Sequence, residues 1–395
     1  MKNFYLLSIL LFLATGAVSC SHHSELDTPI DETEDISVPT RLTLFMYMPW
    51  SDLYTSLNRN MDDMLAALSQ EKLPGKKVVA FISKSPYEAE MYELTGGKKK
   101  LLKTYTSPAL TSPQGIASII LDVKEFAPAS QYAMTIGCHG TGWLPIGSLD
   151  QPNKYTLAYQ QYKIKDPATR FFGALTPDFQ VETSTLVSAL EESSTHLDFL
   201  VFDACYMGCV EVAYQLRDVT DITMLSPSEI MGIGLPYQQI GTLLLHDQVN
   251  WQSICTKFHE FFSSYLYPYG TISVIDSHKL PLLADAMRQL NAEYQWDYSH
   301  TEELQSFGGF YRENIFFDLG QYAKRLSNGN NSEFQSILQQ TVIAATHTPR
   351  CYVASNGTLP INHYSGLSCS APSTSLFTAS WLETQWAIDT KSRAD

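Results

Sequence analysis

Five short and almost continuously apolar runs, at 42–48, 78–83, 132–138, 197–203 and 222–226, constrain this chain more than any other feature. A strand with one face in water alternates polar and apolar residues, whereas a strand covered on both faces has no such need. The runs therefore predict a mostly parallel sheet with helices on both faces. Helical periodicity falls between them at 54–70, 116–126, 184–193 and 208–218, where the crossovers of an α/β fold belong. The segment 89–105 differs, because alternating residues flank Gly96 and Gly97 and predict a hairpin. Lys98, Lys99 and Lys100 beside that turn suit a solvated sheet edge better than a binding patch. From Trp251 onward the pattern predicts a C-terminal elaboration of further helices, one strand at 271–275 and a last helix near 381–388. No repeat and no second linker divides the chain, so one elaborated domain over 41–395 is expected.

The residues before that domain read differently. Lys2 precedes an apolar run at 4–14, and the small residues Ala17 and Ser19 lead to Cys20. This is the pattern of a secretory leader, and a cysteine directly after Ala-Val-Ser looks like a bacterial lipobox in which Cys20 becomes the lipidated first residue. Ala17 stands where a lipobox usually carries Leu, and secretion without a lipid is the alternative. Residues 21–40 are acidic and polar, with two prolines, and predict a flexible tether. His22 and His23 are read as part of that tether rather than as a metal pair.

Charge narrows the partners. With 26 basic residues against 41 acidic ones the net charge is -15, a field that repels phosphate backbones, so nucleic acid is not an expected partner. The six cysteines after Cys20, at 138, 205, 209, 255, 351 and 369, are too sparse for a disulfide framework and lack metal-ligand spacing.

Two strand ends carry the chemistry. The run at 132–138 finishes in His139-Gly140-Thr141-Gly142-Trp143, and the run at 197–203 leads into Asp203-Ala204-Cys205. In an open parallel sheet, ligands bind beyond the carboxyl ends of the strands, which puts both residues at one edge. A thiolate there can attack while an imidazole moves the proton. A cysteine between a strand end and a helix start is also expected to meet the positive helix dipole. Core packing is the alternative reading for either residue taken alone.

The HGTGW run, the block Phe202-Asp203-Ala204-Cys205-Tyr206-Met207-Gly208, its continuation Val210 to Tyr214 and the stretch 226–237 together resemble the clostripain-like cysteine peptidases, of one clan with caspases, legumains and gingipains. The likeness runs from about Leu42 to Tyr237, with weaker echoes beyond. It implies a caspase-like α/β fold, a Cys205 nucleophile, a His139 acid and base, and an oxyanion hole from the backbone N–H groups of Gly140 and Cys205. It implies peptide or protein substrates, with Asp203 helping to line a pocket for Arg or Lys at P1; a capping role for Asp203 is the alternative. The family's Gly-Asp-Gly-Trp run reads Gly232-Ile233-Gly234-Leu235 here, so one acid is missing from that pocket. Relatives also cut themselves after the His-Gly strand, where this chain offers Lys154, Lys163, Lys165 and Arg170. Some depend on calcium, but the residues carry no EF-hand spacing, and Asp62, Asp63 and Asp178 read as solvated surface. No cofactor is expected. The resulting expectation is a lipid-anchored cysteine endopeptidase, against the alternative of a weak or inactive peptidase-like binding lipoprotein.

Overall fold

The computed structural model describes residues 39–146, 148, 172–310, 313–354, 357–375 and 377–392. The leader, Cys20, most of the tether and the four basic residues of the expected processing segment lie outside them. Fourteen strands are present among the described residues: β1 (Leu42–Met48), β2 (Lys76–Ser85), β3 (Glu88–Thr95), β4 (Lys98–Thr106), β5 (Gln131–Gly137), β6 (Leu197–Asp203), β7 (Thr220–Leu225), β8 (Thr271–Asp276), β9 (Ser306–Gly308), β10 (Phe316–Asp318), β11 (Val342–His347), β12 (Arg350–Val353), β13 (Gly357–Pro360) and β14 (Ser368–Cys369).

Nine of them form one sheet in the order β11-β8-β7-β6-β5-β1-β2-β3-β4. The centre, from β7 to β2, is parallel, and each flank is antiparallel. Every residue of β1 is buried, as is β6 except Asp198, because helices cover both faces of these strands. Chain direction explains the two layers. From β1 the chain passes through α1 (Tyr54–Leu68) to β2, while from β5 it passes through α3 (Thr183–Glu192) to β6 on the opposite side. Right-handed crossovers taken in opposite directions put their helices on opposite faces. Accordingly α2 (Pro113–Phe126) and α4 (Val210–Leu216) pack with α3, and α5 (Trp251–Ser264) joins α1 through the short turn Tyr237–Ile240.

The expected hairpin is β3–β4, with Gly96 and Gly97 both at positive φ (49° and 79°), as a two-residue turn matched to strand twist requires. β4 is the outer edge, and Lys99 and Lys103 pair with Asp62 and Asp122 at 2.6 Å. Four expectations are corrected. In place of the one strand expected after Trp251 there are seven among the described residues, β8 to β14, since β11 is an edge strand and the other five additions are four residues or shorter and have no readable period. α2 starts at Pro113, three residues before the expected start, because Ser112 Oγ accepts the Gly115 N–H at 3.2 Å ahead of a proline at the first helical position. The single C-terminal helix is two short ones, Thr378–Trp381 and Gln385–Asp389, since Thr384 caps the second by accepting the Ala387 N–H. The helix expected from 208 begins only at Val210.

Candidate active site

β5 and β6 pair in parallel with Gly137 opposite Asp203. His139 and Cys205 therefore lie two residues beyond the same rung, at the carboxyl edge of adjacent strands. The approach is close: a Cβ built on Gly140 would lie 2.4 Å from the Cys205 carbonyl oxygen and 3.1 Å from the Cys205 nitrogen. Only glycine lets the two turns meet at this distance. Both residues are nearly enclosed, His139 at 3% exposure and Cys205 at 2%.

Backbone from one loop surrounds the thiol. The Ile230 N–H points at Cys205 Sγ at 3.3 Å, and Sγ reaches the Ile230 carbonyl at 3.6 Å. A donated N–H favours the thiolate. The expected helix dipole is not what Cys205 meets, because Cys205 and Tyr206 lie in a turn and the helix α4 has its N-cap only at Cys209. In that turn Tyr206 takes φ 58°, a strained conformation for a non-glycine residue. Its ring stacks on Phe316 at 4.8 Å, and its hydroxyl donates to Glu229 Oε1 at 2.8 Å. Glu229 Oε1 also accepts the Ala354 N–H at 2.7 Å. Burial pushes the Glu229 carboxyl from the ordinary 4.5 up to about 7, although both donors pull the other way. The same desolvation pushes the Cys209 and Cys369 thiols well up and those of Cys255 and Cys351 to about 12. Those four stay protonated and poorly nucleophilic at neutral pH.

Asp203 ends β6 and is fully buried, with Oδ1 accepting the Leu235 N–H at 3.1 Å. It does not cap α4, which begins seven residues later. Instead it ties the strand end to the loop that carries Ile233, whose carbonyl accepts Asn60 Nδ2–H from α1 at 2.8 Å. Asp203, Ile233 and Cys205 are thus held by one loop.

The residue motifs do not reveal Asp52. It follows β1 and meets His139 with Oδ1 2.8 Å from Nε2. The one available signal was its place just past a buried strand. Glu229 and Asn60 gave no signal, since their partners are distant in sequence. The acids considered for calcium do not assemble: Asp62 pairs with Lys99, and no group of three or more His, Cys, Asp or Glu among the described residues could hold a metal ion.

A family model described as the clostripain family matches residues 58–347. A secreted C11 cysteine protease from Bacteroides thetaiotaomicron, "iotapain", is 37% identical over 89% of this chain and 100% of its own, with a TM-score of 0.82. An inactive zymogen C11 protease from Parabacteroides distasonis is 27% identical over 89% and 98%, with a TM-score of 0.74. A clostripain from Bacteroides thetaiotaomicron ATCC 29148, solved with the peptide inhibitor BTN-VLTK-AOMK, is 37% identical over 56% of this chain and 99% of its own, with a TM-score of 0.54. No curated protein sequence matches.

Proposed function

The chain belongs to the clostripain family and is a cysteine endopeptidase, and from that premise we propose that it cleaves peptide bonds of exported or extracellular proteins with Cys205 as nucleophile and His139 as acid and base. The observation that carries this reading is the shared rung: two chemically matched side chains stand equally far beyond neighbouring strands, with Gly140 pressed on the Cys205 backbone. His139 takes the thiol proton, and the thiolate attacks the scissile carbonyl carbon. The oxyanion that forms is met by the Gly140 and Cys205 N–H groups, and His139 then protonates the departing amine. Water, deprotonated by the same imidazole, releases the acyl group from Sγ.

A basic P1 side chain is part of this proposal, compensated by Asp203 and with its aliphatic stem on Ile233. Because Asp203 is fully buried and its Oδ1 accepts the Leu235 N–H, the loop that carries Ile233 and Leu235 has to shift for the cation to reach it. The neighbour that bound a peptide inhibitor with a lysine at its end supports this. With one carboxylate in place of two, the cation is compensated less well, so discrimination against neutral side chains is weaker than in a two-acid pocket. The leader and Cys20 are read as carrying the domain outside the cytoplasm on a lipid anchor, and the neighbour described as secreted supports export. Self-cleavage after one of Lys154, Lys163, Lys165 or Arg170 belongs to the same proposal, and the neighbour described as an inactive zymogen supports activation by processing.

Purified wild type, Cys205→Ala and His139→Ala, assayed on a peptide library with intact-mass analysis, test the reading. Wild type cuts after Lys or Arg and carries a nick after one of the four residues, while both folded variants are inactive and intact. Turnover by a folded Cys205→Ala protein overturns it, and an inert wild type leaves the binding lipoprotein.

A further inference from the structure

The strand order turns at β1 and β5. From β1 the chain moves through α1 to β2 on one side, while β5, β6 and β7 lie on the other. Loops leaving such a pair diverge towards opposite faces and leave a crevice between them. The loop after β1 brings Asp52 into that crevice and the loop after β5 brings His139, although 87 residues separate them in sequence. Their contact, Nε2 to Oδ1 at 2.8 Å, involves a nearly enclosed imidazole. Asp52 makes it from a backbone at φ 56°. That left-handed conformation is unfavourable for most residues and is adopted by Asp and Asn more readily. Strained backbone of this kind persists where surrounding contacts impose it, and it clusters at active sites.

A carboxylate only accepts hydrogen bonds, so the imidazole nitrogen facing it carries the proton. We infer that Asp52 is a positioning residue that holds His139 as its Nε2–H tautomer, so that Nδ1 is the nitrogen that serves Cys205. The inference rests on the reading of Cys205 and His139 as the reacting pair. The Sγ–H bond breaks and its proton passes to Nδ1, and the sulfur keeps the electron pair and attacks the carbonyl carbon. The imidazolium retains Nε2–H towards Asp52. When the tetrahedral adduct collapses, the Nδ1 proton goes to the leaving amine. Asp52 stays ionised and transfers no proton.

Asp52→Asn and Asp52→Ala test the assignment. Asn accepts the left-handed backbone but its amide can donate as well as accept, so it does not enforce a tautomer; Ala removes the contact. The ring nitrogens of His139 are read by 15N NMR in the histidine-labelled protein, assigned by the signals lost in His139→Gln. The expected result is the Nε2–H tautomer in the parent and mixed tautomers in both variants. Alongside this, kcat falls at least about tenfold with KM within about twofold, and iodoacetamide alkylates Cys205 more slowly in step. An unchanged tautomer with kcat within about twofold of the parent overturns the inference. A parent that hydrolyses no peptide defeats the proposed function alone, since the tautomer and the alkylation rate still decide the role of Asp52.

Discussion

Glu229 is fully buried one residue before the backbone that touches Cys205 Sγ, and its Oε1 joins the strained Tyr206 turn to Ala354 at the end of β12. Its carboxyl is displaced upward by burial, from 4.5 to about 7. In that window the native chain binds more protons at this site than the unfolded chain. Its contribution to stability is therefore complete below pH 4.5 and is lost as pH rises through 7. The loss is on the order of 3 kcal/mol. Gln keeps both acceptor contacts and has no proton to lose. Urea unfolding of Glu229→Gln and parent between pH 4.5 and 8 is thus expected to show parent stability falling relative to the variant by about that amount. The difference isolates Glu229 from Glu211 and Asp318, which burial also displaces upward. Parallel curves would refute the assignment.

At the level of elements, the loop after β7 organises the site more than the helix after Cys205 does. It supplies Ile230 to the thiol, Leu235 to Asp203 and the Ile233 carbonyl to Asn60. Asn60 sits on α1 at 1% exposure, so the face of a helix on one side of the sheet sets the height of a loop at its edge. Asn60→Ala removes a buried donor and is expected to cost about 1–3 kcal/mol. Because the loop shapes the P1 wall rather than carrying the reacting atoms, KM should rise severalfold while kcat changes little. Steady-state kinetics beside chemical unfolding measure both effects. A pure loss of kcat would show that the loop aligns Cys205 instead.

The whole molecule sets where this chemistry can act. The central strand β1 is held on both sides within residues 39–392, by β2 and β5, and Arg41 at its start pairs with Asp247 at 2.9 Å. Residues 38–395 form one compact unit by their own contacts. A chain beginning at Val38 is accordingly expected to fold with an unfolding free energy within about 0.5 kcal/mol of a longer form. No helix among the described residues is long and apolar enough to cross a membrane. If the lipid on Cys20 is the anchor, Cys20→Ala moves the protein from the membrane pellet to the supernatant. Retention in the pellet would point to another anchor.

From the residues alone the parallel centre of the sheet, its two helical layers and the two strand ends were legible, but β11 at the sheet's edge was not. Continuous burial on both faces leaves a readable run of apolar residues, and the run's end marks the edge where His139 and Cys205 stand. The hairpin was legible for a local reason too, since Gly96 and Gly97 take both positive φ values of its turn without steric cost. The tertiary structure decided what those strand ends meet. Asp52 reaches His139 because β1 lies beside β5, Glu229 reaches Tyr206 because the loop after β7 folds back across β6, and Asn60 reaches Ile233 across the sheet's edge. No periodicity encodes such contacts, because strand order is set by which whole elements bury one another best. The small sheet of β9, β10 and β14, whose strands are two or three residues long, was illegible for a related reason. Strands that short have no period, and only packing against a core already formed makes them strands at all.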